Sequence, residues 1–389
     1  MTSPPPDNIH ASQQSAARQR LIRDWLITAA VAIIALFVVA LLLSSQWVMV
    51  AVGRWAIIAG LAIFYELRIF RQTLDLMHAP GEDALRPGVD DATRWTLLSG
   101  LSYALLAGFL MVTSPAGWLG WLPPLLALAG AVAAAFAETI ALRSEARTVG
   151  GDYLAREFLA LGALSATAVA IHYGKLDPWF LLIGIMDYLL LFTRGWLARK
   201  KKNPPALPST KWRFHFQSLY LAALGVILFP TVGRDYALPT GLLAGLPIFF
   251  ISLRDWFILT GLLNPEQSQY RQLAGAVNRA LTGWLALSIR LLGAMAAATI
   301  AADMIFHFDI YARAFAQDLY AGAVALMLLV VLPFLLLGIR ARLFAFIAFA
   351  ALSIILLVMG WSQIVFIALL LTGATIILGQ GQLAVEKES

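Results

Sequence analysis

The sequence predicts an all-α fold: a polytopic integral membrane helix bundle of about twelve transmembrane helices. Three observations carry this. The 389-residue chain is 60% hydrophobic and 13% charged, with a mean hydropathy of +0.79, whereas an average soluble domain has about 25% charged residues. Apolar runs near the ~20 residues that a helix needs to cross a bilayer recur along the whole length. The basic residues are gathered between alternate runs rather than scattered, which is how membrane helices are oriented.

Taken in order, the expected spans are 26–43, 47–64, 96–113, 122–141, 157–173, 178–196, 215–232, 238–258, 281–304, 319–339, 343–359 and 362–379. Residues 1–25, with Pro4, Pro5 and Pro6, are too polar for a signal peptide, and no small-residue cleavage site follows the first apolar run. They form a cytoplasmic tail. Residues 26–90 form a helix pair and a basic loop, 91–275 a central membrane domain, and 276–389 a C-terminal four-helix unit. The stretch 264–280, opening with Asn264-Pro265-Glu266, is the best junction. Charged, longer connections at the N-terminus, 65–95, 142–156, 197–213 and 259–280 alternate with short, nearly neutral turns such as 114–121, 174–177 and 233–237. Of 28 lysines and arginines, Arg54, Lys175, Arg234 and Arg313 fall on the neutral side, Arg290 falls within a span, and about 23 fall on the other side. That asymmetry predicts a multi-pass protein of the inner (cytoplasmic) membrane with both termini in the cytosol. The span 238–258 is the least regular, because Arg254 and Asp255 lie near its end.

The formal charge of +6 follows from these loops and gives no reason to expect nucleic acid. Arg199-Lys200-Lys201-Lys202, stopped by Pro204, Pro205 and Pro208, is a loop that suits anionic headgroups. Zero cysteines exclude disulfides and thiolate metal sites.

Ionisable groups inside spans are costly and mark candidate sites. Glu66, Glu138, Asp187 and Asp303 stand out. Glu66 and Asp303 lie near span ends, where a carboxylate reaches water. Glu138 and Asp187 lie deeper, positions that suit pairing with an arginine across the bundle or ligand binding; Asp187 is too far along its helix from Arg194 to use it. Asp152 and Glu157 complement the dipole at a helix start. The histidines His10, His78, His172, His215 and His307 show no metal-binding spacing. Trp118 and Trp121 read as an interfacial anchor. The small residues Ala131–Ala137 allow close helix approach, in a packed bundle or a cavity wall.

Several segments in this order carry a resemblance: A-G-F-L-M-V-T-S-P-A-G-W-L-G-W-L-P (107–123), A-L-G (160–162), H-Y-G-K-L-D-P-W-F-L-L-I-G (172–184), L-P-S-T-K-W-R (207–213) and G-L-P-I-F-F-I-S-L-R-D-W-F-I-L-T-G (245–261). From about residue 80 to 275 the chain resembles the CDP-alcohol phosphatidyltransferase family, in a bacterial branch with extra helices. The family signature is D-x-x-D-G-x-x-A-R, eight residues, then G-x-x-x-D-x-x-x-D. The resemblance implies Mg²⁺ or Mn²⁺ held by four carboxylates, a CDP-linked nucleotide donor, and an acceptor hydroxyl deprotonated by the last aspartate. In this chain the first position is Ala135 and the second Glu138. Thr139 replaces the glycine, Leu142 the alanine, and Arg143 is kept. The loop is one residue short before Gly151. The third and fourth positions are Ala155 and Leu159. Family arginines align with Ser99 and Asp187. Three of four carboxylates are therefore absent, including the base.

Asp152 lies three residues before Ala155 and seven before Leu159, on the same helical face. Glu138 and Asp152 are the remaining metal candidates, and Glu138, Arg143, Gly151 and Asp152 the candidate substrate-binding residues. Arg143 and Arg147 stand near enough in sequence to neutralise Asp152. Residues 337–346 and 378–387 weakly resemble DoxX-type four-helix membrane proteins. Three functions follow. The first is a catalytically degenerate member of the fold that binds a lipid or nucleotide headgroup, or a membrane partner. The second is an active phosphatidyltransferase of phospholipid synthesis. The third is a transporter. Membrane lipids are the expected partners, and a homodimer is a further expectation.

Overall fold

The computed structural model describes residues 6–77, 89–144, 147–200, 211–360 and 362–378. The run Lys201–Lys202 with its prolines, His78, and most of 378–387 lie outside the described residues. Among those described there is no strand. Two compact units divide the chain, Met1–Leu263 and Asn264–Ser389. The sequence reading put the border twelve residues later, between 275 and 276.

The first unit consists of α1 (Pro6–Leu43), α2 (Met49–Thr73), α3 (Val89–Ala107), α4 (Leu122–Arg143), α5 (Val149–His172), α6 (Leu181–Arg199), α7 (Lys211–Ile227) and α8 (Arg234–Thr260). The second consists of α9 (Ser268–Ala280), α10 (Ala286–Phe306), α11 (Phe308–Ala314), α12 (Asp318–Leu337), α13 (Ala341–Met359) and α14 (Gln363–Leu378).

Eight helical stretches are long and apolar enough to cross a membrane, in and around α1, α2, α4, α5, α6, α8, α10 and α12. The chain is thus a helical, multi-pass membrane protein. Twelve spans were expected, and four of them fall short of that standard. Asp90, Asp91 and Arg94 make α3 too charged at its start, and its apolar part gives way at Gly108 to a 3-10 turn. The apolar segments Phe216–Ile227, Ala341–Leu356 and Gln363–Ile376 are short. The irregular span near Arg254 and Asp255 does form one long helix, α8.

Local chemistry fixes the helix ends. Pro123 and Pro124 begin α4, where a missing N–H costs nothing. Thr148 caps α5 by accepting the Gly151 N–H at 2.9 Å. Gly261 ends α8 with φ +79°, a conformation that only glycine adopts without strain. On the side of the short turns, Gln46 exchanges hydrogen bonds with the Ala116 backbone at 2.8 and 3.0 Å, and the Lys175 ammonium donates to the carbonyls of Phe229 and Val232.

Small residues bring α3, α4 and α5 together. The ring of Tyr103 on α3 lies so close to Gly130 and Gly162 that a Cβ at either would fall 2.5 or 2.6 Å from it. On α4 the buried face is Ala127, Gly130, Ala131, Ala133, Ala134 and Ala137. The small-residue stretch is therefore a packed helix contact, with Val132 and Phe136 facing outwards.

In the second unit α10, α12, α13 and α14 enclose an aliphatic core that includes Ile300, Leu328, Leu335, Leu352 and Leu369. At its α10–α11 corner Asp303 is half exposed. It accepts from the Tyr311 hydroxyl at 2.6 Å and pairs with His307 Nδ1 at 2.9 Å.

Candidate functional site

The signature positions lie where α4 ends and α5 begins. Ala135 is half-buried and Leu159 is buried, while Leu142, Arg143 and Asp152 are exposed. Glu138 is ion-paired to Arg147 from the α4–α5 connection. Arg143 and Arg147 stood near enough in sequence to neutralise Asp152; Arg147 pairs with Glu138 instead. Gly151 serves the N-cap of α5, donating its N–H to Thr148.

The donor set does not fit a divalent cation. Hard cations take several oxygen ligands. Ala135, Ala155 and Leu159 supply no side-chain oxygen, and the Glu138 carboxylate is already neutralised by Arg147. Among the described residues no group of three His, Asp or Glu is placed to hold a metal.

The charges in this unit are concentrated elsewhere, in α5 to α8. Asp187 on α6 accepts from Arg213 Nη2 at 2.6 Å, from Gln217 Nε2 at 2.6 Å and from Ser252 Oγ at 3.4 Å. Arg213 Nη1 donates at 2.5 Å to Asp255 on α8, which also accepts from Arg254 Nε at 2.9 Å. One guanidinium thus forks between two buried carboxylates from different helices. The planar fork of arginine is suited to this, since it offers two donors at fixed separation. Spacing makes the arrangement possible. Arg213 and Gln217 are four apart on α7, and Ser252 and Asp255 three apart on α8, so each pair shares a face.

Arg156 stands at the edge of this network. It is exposed, and lies within electrostatic range of Arg194, Arg213, Asp152 and Asp255. Among the described residues of this cluster, arginines 156, 194, 213 and 254 stand with aspartates 152, 187 and 255, one positive charge over. The surplus sits on exposed Arg156 and Arg194, since Arg213 and Arg254 are committed to Asp187 and Asp255.

A second polar layer joins α2 and α5. Glu157 is buried and accepts from the Tyr65 hydroxyl at 2.8 Å. Tyr153 and Tyr188 lie within its electrostatic reach. Glu157 is therefore an interior acceptor, where the sequence suggested only a helix-dipole role. Glu66 was expected to reach water. Instead it is 5% exposed, and its Oε1 has no hydrogen-bond partner. Its carboxyl lies against Gly100, where a Cβ would come within 2.9 Å of Oε1. Asp187 does meet an arginine across the bundle, as one of its two sequence readings had it. Arg156, Arg213, Gln217 and Ser252 were not singled out. The spacings in α7 and α8 were the available signal, but spacing does not reveal which helices are neighbours.

No protein-family model, curated protein or solved structure matches this chain.

Proposed function

We propose that the N-terminal unit is a catalytically degenerate relative of the CDP-alcohol phosphatidyltransferase fold, with about twelve spans in the whole chain and both termini in the cytosol of an inner membrane. Its cytosolic end binds the phosphate of a lipid or CDP-linked headgroup. The observation that carries this is the surplus of positive charge at exposed Arg156 and Arg194, beside an internally neutral Asp187–Arg213–Asp255–Arg254 cluster. A phosphate group balances that surplus, and guanidinium groups bind phosphate bidentately. The degenerate part of the reading draws on the α4–α5 mouth, where Glu138 is spent on Arg147 and two signature positions are alanine and one leucine.

Native mass spectrometry on the detergent-purified protein tests this, with CDP-diacylglycerol, an anionic phospholipid and phosphatidylcholine as probes. The two anionic lipids are expected to bind more tightly than phosphatidylcholine. Replacing both Arg156 and Arg194 with Gln is expected to weaken them about tenfold, or about 1.4 kcal/mol, with an unchanged melting temperature. Equal affinity for all three lipids, or no loss in the double variant, rejects the reading.

A further inference from the structure

In the C-terminal unit, α9 adds nothing to the buried core. None of its described residues is buried, although it is strongly two-sided. Tyr270, Leu273 and Val277 follow one another at spacings of three and four and so share one stripe. Leu273 is 66% and Val277 50% exposed. Arg271, Gly275 and Arg279 occupy the opposite side. The helix contains two arginines and no acidic residue.

Length then limits where α9 can lie. At ~1.5 Å per residue, the 21 residues of α10 reach about 32 Å, enough for the ~30 Å hydrocarbon core. The helical run Ser268–Phe306 has 39 residues, or about 58 Å. The 13 residues of α9 are thus about 20 Å beyond what the crossing needs. Extended into water, they would leave the Leu273–Val277 stripe solvated. Laid along the interface, they bury it in the acyl boundary while both guanidiniums remain at the headgroups. A π-turn, Leu281–Leu285, joins α9 to α10; such turns are common places for a helix to bend. Trp284 within that turn is 64% exposed, and tryptophan favours the headgroup level.

We infer that α9 is an interfacial helix that docks on an anionic lipid surface. Its apolar stripe enters the leaflet, and Arg271 and Arg279 meet the phosphates. This is independent of the headgroup site in the N-terminal unit.

The full chain has no cysteine, so single spin labels can be placed without removing native thiols. The full-length variants Leu273→Cys, Val277→Cys, Arg271→Cys and Gly275→Cys are labelled and reconstituted in phosphatidylcholine vesicles, with or without phosphatidylglycerol. Power-saturation EPR then compares relaxation by oxygen with relaxation by a water-soluble nickel chelate. Labels at 273 and 277 are expected to favour oxygen and those at 271 and 275 nickel, with greater contrast when phosphatidylglycerol is present. Nickel access at all four positions would mean a helix in water. Labels at 273 and 277 shut to both reagents would mean a protein partner. Either result overturns the inference, as does a contrast that ignores phosphatidylglycerol.

Discussion

The two units are both apolar helix bundles, yet they treat charge differently. The N-terminal unit buries Asp24, Glu66, Glu157, Asp187 and Asp255. Among the described residues of the C-terminal unit, Arg290 is the one buried charged side chain, in a core of alanine and branched aliphatics. That second core demonstrates that helices of this composition pack without buried carboxylates. Charges in a low-dielectric interior are costly even when paired. Three of the five, Glu157, Asp187 and Asp255, lie in α5, α6 and α8, beside the headgroup site proposed above.

The sharpest way to break this comparison is Arg213→Ala. It strands Asp187 and Asp255, and the loss of one partner in a buried ion network costs about 3–5 kcal/mol. The variant is expected to yield little monodisperse protein on size exclusion. Restored yield in Arg213→Ala/Asp187→Asn would show that stranded charge, and not lost packing, is the cause. Tyr65→Phe removes the donor to buried Glu157 and is expected to cost about 1–3 kcal/mol, read as a lowered melting temperature. In the C-terminal unit, Asp303→Asn alters a half-exposed group, and its expected cost is below ~1 kcal/mol. If Asp303→Asn proves as harmful as Tyr65→Phe, the contrast between the units is wrong.

A further effect depends on pH. Burial lowers the Lys175 ammonium from 10.5 to about 8. Below about pH 8 the folded and unfolded forms both carry the proton, and the desolvation penalty is fully present. Between about 8 and 10.5 only the unfolded form keeps it, so stability rises with pH across that window. Thermal melts of the wild type are expected to gain on those of Lys175→Met as pH climbs from 8 to 10.5.

Much of the fold was legible because hydropathy and loop charge are local properties. Gly130 and Gly162 could be read as small residues, but not as the two sides of one clamp on Tyr103, since that depends on which helices meet. The same limit applies to the site. Position alone placed Asp187 inside a span and left its partner open. That partner, Arg213, comes from the next helix across a connection, and Glu66 looked accessible because it lies near the end of the expected span 47–64, whereas α2 continues to Thr73. Tertiary neighbours decided both cases. At Glu138 a nearby arginine in the loop was visible, but its choice of Glu138 over Asp152 depends on how the loop turns.

The central claim is that the signature positions lack the carboxylates to clamp a metal against a diphosphate: Ala135, Ala155 and Leu159 supply no side-chain oxygen, and Glu138 is paired with Arg147. Release of radiolabelled CMP from a CDP-alcohol by the purified protein with Mn²⁺ tests it most directly. The account predicts release no faster than in a protein-free control. Release well above that control, and abolished by Glu138→Ala or Asp152→Ala, would contradict it.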